Sequence, residues 1–160
     1  MPAIALYCRR LSSPVYGDRN NGNVCKEHMK LTIERLTVLS PQDKRDLVNI
    51  WPAVDIDALQ QQFTDSFALF AARFNDRLLA AVQVELDAAW GEGRLMGLRV
   101  RPETRRRGVG LYLVNETRRQ MPDIVSWWLS NQQPLEDAAL MGKFMSACGF
   151  YEEPDGWHLR

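Results

Sequence analysis

No part of this 160-residue chain carries the roughly 20 consecutive apolar residues needed to cross a bilayer as a helix. The first residues also lack the apolar core of a secretory signal, and Arg9 and Arg10 make a poor presequence beside Asp18 and the Asn20-Asn21 run. Cysteine is scarce. Cys8, Cys25 and Cys148 show neither C-x-x-C nor zinc-finger spacing, which argues against a disulfide framework or a structural metal and for a reducing cytoplasm. Histidine is scarcer still. With only His28 and His158, Cys148 has no histidine nearby in sequence to activate it as a nucleophile. The formal net charge is zero, so nothing global draws the chain to nucleic acid or to a membrane surface. There is no internal repeat and no linker between two domains. What remains is an ordinary balance for one globular domain, 46% hydrophobic and 25% charged, long enough to bury a real core.

Residues 1–28 differ from the rest. Ser12-Ser13-Pro14, Gly17-Asp18 and Asn20-Asn21-Gly22-Asn23 break every helical or strand period. Met29 stands directly before a good strand, so the domain is expected over 29–160, with 1–28 an extension that is disordered or not native. Lys30 to Thr37 reads as the first strand. Ser40-Pro41-Gln42-Asp43 starts a helix: serine caps it, proline takes its first position, and Leu47, Ile50 and Trp51 form its apolar face. A short helix over 55–63 follows, with Ile56, Leu59 and Phe63 inward. Strands at 67–73 and 78–86 turn about Asn75-Asp76, and Trp90 to Gly93 leads into a third strand ending at Val100. A helix is predicted over 109–119, a strand over 124–129, and a helix over 135–147 with Leu140, Phe144 and Ala147 inward. Two last strands, 150–152 and 157–159, meet across Pro154-Asp155-Gly156. This order, βαα-βββ-α-β-α-ββ, predicts an α+β sandwich, with a mostly antiparallel sheet and helices on its faces.

The chemistry concentrates at the strand-to-helix turn after Val100. Pro102 closes the strand, Arg105, Arg106 and Arg107 follow, and Gly108 and Gly110 flank the helix start. The first amides of a helix have no acceptor inside it, and the macrodipole places partial positive charge there. Glycines admit a close ligand and arginines add fork-shaped donors. The turn therefore suits a phosphate or pyrophosphate. It lacks the third glycine of the dinucleotide fingerprint and the G-K-S/T of a P-loop.

Arg105, Gly108 and Gly110 fill the Q/R-x-x-G-x-G/A pattern, and the stretch resembles the acyl-CoA-binding motif of the Gcn5-related N-acetyltransferase (GNAT) superfamily. The resemblance implies CoA or acetyl-CoA as cofactor. Backbone amides from Arg106 through Arg107, Gly108, Val109 and Gly110 to Leu111 would hold the pyrophosphate. Thr104 and Arg105 would lie beside it, and Leu98, Arg99 and Val100 would run along the pantetheine arm. The catalytic half of that pattern is missing. Where many members resemble L-Y-x-x-x-G-F, this chain has Phe144-Met145-Ser146-Ala147-Cys148-Gly149-Phe150, and a thioether cannot protonate a leaving thiolate. Ala138 stands where an asparagine is common. Tyr112 reads as a packing residue and Glu85 as an exposed strand carboxylate, so no catalytic residue is assigned.

From Met29 onward the chain resembles one branch of that superfamily, the PanD maturation and regulatory factors (PanZ or PanM), which act on aspartate 1-decarboxylase. The residues that carry the likeness include Ile50-Trp51-Pro52, Ala71-Ala72-Arg73-Phe74-Asn75, Thr104 to Gly110 and Trp127-Trp128. The resemblance implies a CoA- or acetyl-CoA-dependent regulator of β-alanine, pantothenate and CoA synthesis, cytoplasmic, and more a regulator than a catalyst. It would dock on the decarboxylase precursor through Arg73 and Asn75, promote the backbone self-cleavage that makes the pyruvoyl group, and restrain the mature enzyme. Two other classes stay open: an N-acetyltransferase acting on an amine, and a nucleotide- or RNA-binding module. The zero net charge and the lack of an aromatic platform beside the arginines speak against the latter.

Overall fold

A computed structural model describes residues 30–105, 108–131 and 138–160. The expectations placed on residues 1–28, Met29, Arg106, Arg107 and the start of the last helix at 135–137 lie outside the described residues. Along the chain run β1 (Thr32–Leu36), α1 (Pro41–Ile50), α2 (Ile56–Gln61), β2 (Phe67–Phe74), β3 (Arg77–Asp87), β4 (Glu92–Val100), a single 3-10 turn (Pro102–Thr104), α3 (Val109–Gln120), β5 (Ser126–Ser130), α4 (Ala138–Ala147), β6 (Tyr151–Glu153) and β7 (Gly156–Leu159). The seven strands form one sheet in the order β1-β2-β3-β4-β5-β7-β6. Every pairing is antiparallel except β4 with β5.

The sheet is covered on both sides, and period two explains how one strand serves both. In β2, Ala68, Phe70 and Ala72 enter a core with Val109, Leu113 and Val114 of α3 and Met145 of α4. Leu69 and Ala71 point the other way, into a core with Leu47 and Ile50 of α1 and Ile56 and Leu59 of α2. The sandwich of helices on both faces is as expected. Ser40 caps α1, its side chain accepting from the Asp43 amide while Asp43 accepts from the Ser40 amide, with Pro41 at the start.

Two local expectations fail. β5 begins at Ser126, not Ile124, because the Ile124 amide closes a turn onto the Met121 carbonyl and Val125 is 71% exposed. In α4, Leu140 is mostly exposed and Ala147 is exposed as well, whereas Met145 and Cys148 are buried and Phe144 is half-buried. The inward face of this helix is thus turned by one position. Gly149, at φ +89, ends it with the Phe150 amide reaching back to the Met145 carbonyl, a 6→1 closure that fixes Phe150 under the helix.

Candidate functional site

β4 is paired with β5 from Glu92 to Leu95, opposite Ser126 to Leu129, and then runs on from Met96 to Val100 past the end of that ladder. On its other side, against β3, the same stretch carries a bulge. Between the pairs Gln83–Met96 and Ala81–Arg99, β4 spends two residues, Gly97 and Leu98, against Val82 alone. Gly97 adopts φ +63, a conformation that favours glycine, and its carbonyl accepts the Trp51 indole N–H at 2.7 Å. An extra residue bends its strand, and Leu98, Arg99 and Val100, all half-buried, follow that bend. The β4 residues from Met96 to Val100 thus lie outside the β4–β5 ladder.

Helix α3 starts just beyond this strand end. Pro102–Thr104 makes one tight turn, the Thr104 amide and hydroxyl both donating to the Arg101 carbonyl at 3.0 Å. Arg105 is exposed, and its Nε donates to the Val100 carbonyl at 3.1 Å, so this side chain folds back over the strand end. Gly108, at φ +77, is the N-cap, and the Tyr112 amide is the first to reach an acceptor within the helix, the Gly108 carbonyl. The amides of Val109, Gly110 and Leu111 precede that bond and form the positive end of a 12-residue helix. The Val109 side chain is buried, so a ligand here would meet its backbone rather than its isopropyl group.

The two glycines have different reasons. Gly108 is required by its left-handed backbone. Gly110 is required by packing: a Cβ there would lie 3.0–3.1 Å from the Phe144 ring and 3.1 Å from Val100 Cγ2. The motif's second glycine thus lets α3 lie against α4 and the strand end, in addition to any close approach of a ligand. Gly110→Val is expected to overpack this seam and lower stability by about 1–3 kcal/mol. Thermal denaturation measures it, and an unchanged midpoint would show that the seam is loose.

A second cluster lies at the β2–β3 hairpin. Asn75 and Asp76 form its two-residue turn, both with positive φ (52° and 62°), which these residue types tolerate. Asn75 is exposed at the tip. Arg73 does not project. Its guanidinium is held by Glu34 Oε2 at 2.6 Å and by both Asp43 carboxylate oxygens at 3.0 and 3.3 Å. On the other strand Arg77 binds Asp46, with Nη2 at 2.7 Å and Nε at 3.0 Å from Oδ1. Asp46 is wholly buried, also accepting from the Leu78 amide at 3.0 Å and Gln42 Nε2 at 3.1 Å, with Arg101 Nη1 at 3.7 Å. Burial pushes this carboxyl up, yet the hydrogen bonds from Arg77, Leu78 and Gln42 and the Arg77 charge outweigh it and hold its pKa below the ordinary value. Sequence reading assigned Asp43 only its capping role and missed Asp46. The one available signal was two aspartates three apart on a helix whose next positions are apolar.

Met145 is fully buried in the core. Cys148 is buried, and burial pushes its thiol up to about 12 against the pull of Arg118, so no thiolate forms near neutrality. Glu85 is exposed, and Tyr112 is half-buried against the core. His158 stacks on Trp128 with ring centroids 5.7 Å apart, and its Nε2 lies 2.8 Å from Asp155 Oδ1 and 3.5 Å from Glu153 Oε2. These three are the group among the described residues whose ligand atoms would reach one metal ion, and they already satisfy one another at a hairpin end.

Comparison with known proteins agrees with this geometry. The family described as "Acetyltransferase (GNAT) domain, PanZ" matches residues 30–158. A protein of Salmonella typhimurium strain LT2 named PanD regulatory factor is 47% identical over 132 residues, which is 82% of this chain and all of that protein. The PanD regulatory factor of Escherichia coli K12 is 48% identical over 129 residues, 81% of this chain and 98% of its own. Among solved structures, the solution NMR structure of E. coli YhhK bound to coenzyme A is similar at TM-score 0.72 and 48% identity, covering 81% of this chain and 98% of that one. The E. coli ribosomal-protein-S18-alanine N-acetyltransferase, at 16% identity and TM-score 0.61 over 81% of this chain and 89% of its own, shares the fold. With the start of α3 set at the end of β4 and a match across nearly the whole described region, this chain belongs to the PanZ family of GNAT acetyltransferase domains.

Proposed function

We propose that this chain binds CoA or acetyl-CoA and, in that state, regulates aspartate 1-decarboxylase (PanD), promoting self-cleavage of the precursor and restraining the mature enzyme. The observation that carries the reading is the glycine-flanked start of α3, Gly108 to Leu111, at the end of β4, in a chain 48% identical to one solved with coenzyme A bound. The pyrophosphate would rest on the amides of Val109, Gly110 and Leu111, with Arg105, Arg106 and Arg107 around it. The pantetheine arm would follow Leu98, Arg99 and Val100 and hydrogen-bond along the strand. The name of the relatives, PanD regulatory factor, supports the partner. Asn75 at the exposed hairpin tip would touch it, with Arg73 shaping the corner behind. A chain acting on this biosynthetic enzyme works in the cytoplasm.

The buried thioether of Met145 supports a regulator over a catalyst, because the position that supplies the acid in the enzymes holds no proton to give. The test is calorimetric titration of the protein into purified decarboxylase precursor, with and without acetyl-CoA, followed by a gel for cleavage. Ligand-dependent binding with faster cleavage is expected. Absence of binding in both conditions, or turnover of acetyl-CoA with simple amines, would overturn the reading.

A further inference from the structure

The anion turn and the hairpin tip meet at one carboxylate. Arg101 is the first residue after β4 and opens the turn that leads to Gly108. Its Nη1 lies 3.7 Å from Asp46 Oδ1 and its Nη2 2.7 Å from Glu103 Oε1. Its amide also donates to the Leu79 carbonyl at 2.8 Å. Leu79 is the extra residue of a second bulge, where the β2–β3 register slips between the Ala72–Ala80 and Arg73–Leu78 pairs. The neighbouring Leu78 amide and the Arg77 guanidinium are those that bind Asp46. Backbone and side chain of Arg101 are therefore both tied to the base of the Asn75 hairpin. Asp46 itself is fixed on α1 one turn from Asp43, which holds Arg73 on the opposite strand of the same hairpin.

From this juxtaposition we propose that Asp46 and Arg101 are a positioning pair that links occupancy of the anion turn to the shape of the Asn75 hairpin, so that cofactor and protein partner bind cooperatively. The inference rests on the function proposed above and adds the residues that carry the coupling. The start of α3 packs on the end of β4, where a Cβ on Gly110 would lie 3.1 Å from Val100 Cγ2, and Arg101 follows Val100 directly. An anion that draws on the helix start therefore acts on Arg101, and a shift there alters the share of Asp46 available to Arg77. Arg77 is the residue directly after the two-residue tip. Asp46 is buried and cannot exchange a lost arginine for water at low cost, so the two arginines are not independent.

Coupling is reciprocal: the factor by which partner tightens CoA equals the factor by which CoA tightens partner. The experiment measures the Kd for CoA by calorimetry, with and without saturating decarboxylase, in the wild type, Arg101→Gln and Glu103→Gln. Arg101→Gln removes the charge shared with Asp46. Glu103→Gln loosens the same arginine from the exposed side, where the fold is not at risk. The ratio of the two dissociation constants is the readout, because a change in CoA affinity alone cancels in it. In Arg101→Gln the ratio is expected to fall at least fivefold toward one, with a smaller fall in Glu103→Gln, and Arg101→Lys is expected to recover most of it. A wild-type ratio above one that both variants leave intact overturns the pair's role and leaves the proposed function standing. A wild-type ratio of one overturns the cofactor-gated reading and the pair together.

Discussion

Gly156→Ala is expected to break the docking of the C-terminal hairpin onto β5 and to lower the unfolding free energy by more than about 3 kcal/mol. A Cβ at this position would sit 2.1 Å from the Leu129 carbonyl oxygen and 3.0 Å from the Asn131 amide nitrogen. Both are backbone atoms, and neither can turn aside as a side chain would. The residue also stands at φ +143, a conformation that L side chains rarely adopt. Relief requires β7 to move off β5, and that costs the pairings Trp127–Leu159, Trp128–His158 and Leu129–Trp157 as well as the burial of Trp157. A large loss is therefore set by the ladder and by an aromatic core residue, not by one contact. Urea unfolding followed by tryptophan fluorescence checks it, and a variant within 1 kcal/mol of the wild type would mean that the hairpin repacks without its ladder. β5 is also the strand that pairs with β4, so loss of its outer neighbour is expected to loosen that ladder as well.

The elements of this fold were legible because they rest on local rules. Ser40-Pro41 with Asp43 announces the start of α1, Asn75-Asp76 announces a tight hairpin, and the glycines after Val100 announce a helix start; each is found where expected. The failures share a cause. The inward face of α4 depends on where the helix is rotated to meet Phe150 and β7, and its apolar residues lie nearly all round, so periodicity could not choose between Leu140 and Met145. The start of β5 was misplaced because Ile124 and Val125 look like strand residues, while a turn hydrogen bond that no propensity reports takes the first of them. In the site, the turn was readable as a contiguous motif. The bulge at Gly97-Leu98 in the strand before it was not, since a bulge is a mismatch between two strands and exists only in the pairing. Asp46 was invisible for the same reason: its partners Arg77, Leu78 and Arg101 lie 31 or more residues away.

Asp46→Asn is expected to lower stability at neutral pH by about 3 kcal/mol, and by much less in acid. The carboxylate accepts from the Leu78 amide, from Gln42 and from two atoms of Arg77, and its side chain has no exposure to solvent. Asparagine fills the same volume but presents an amide with two N–H donors where every neighbour is also a donor, so at least one buried group loses its acceptor. The sign of the pH dependence follows from the depressed pKa. A carboxyl whose folded value lies below its unfolded value contributes fully above the unfolded pKa, near 4, and loses that contribution as pH falls through the folded one. The wild type therefore has an acid limb from this group that the asparagine variant lacks, and their unfolding free energies converge as pH falls. Asp155 is also held below the ordinary carboxylate range, first by its hydrogen bond with His158, but it shares no partner with Asp46 and cancels in the difference. Unfolding in urea at pH 7, 5, 4 and 3 yields that difference directly. A gap that stays constant from pH 7 to pH 3 would show that Asp46 acts through shape alone. A gap that closes would establish that Asp46 acts through its buried charge, which Arg77 at the hairpin and Arg101 after β4 share.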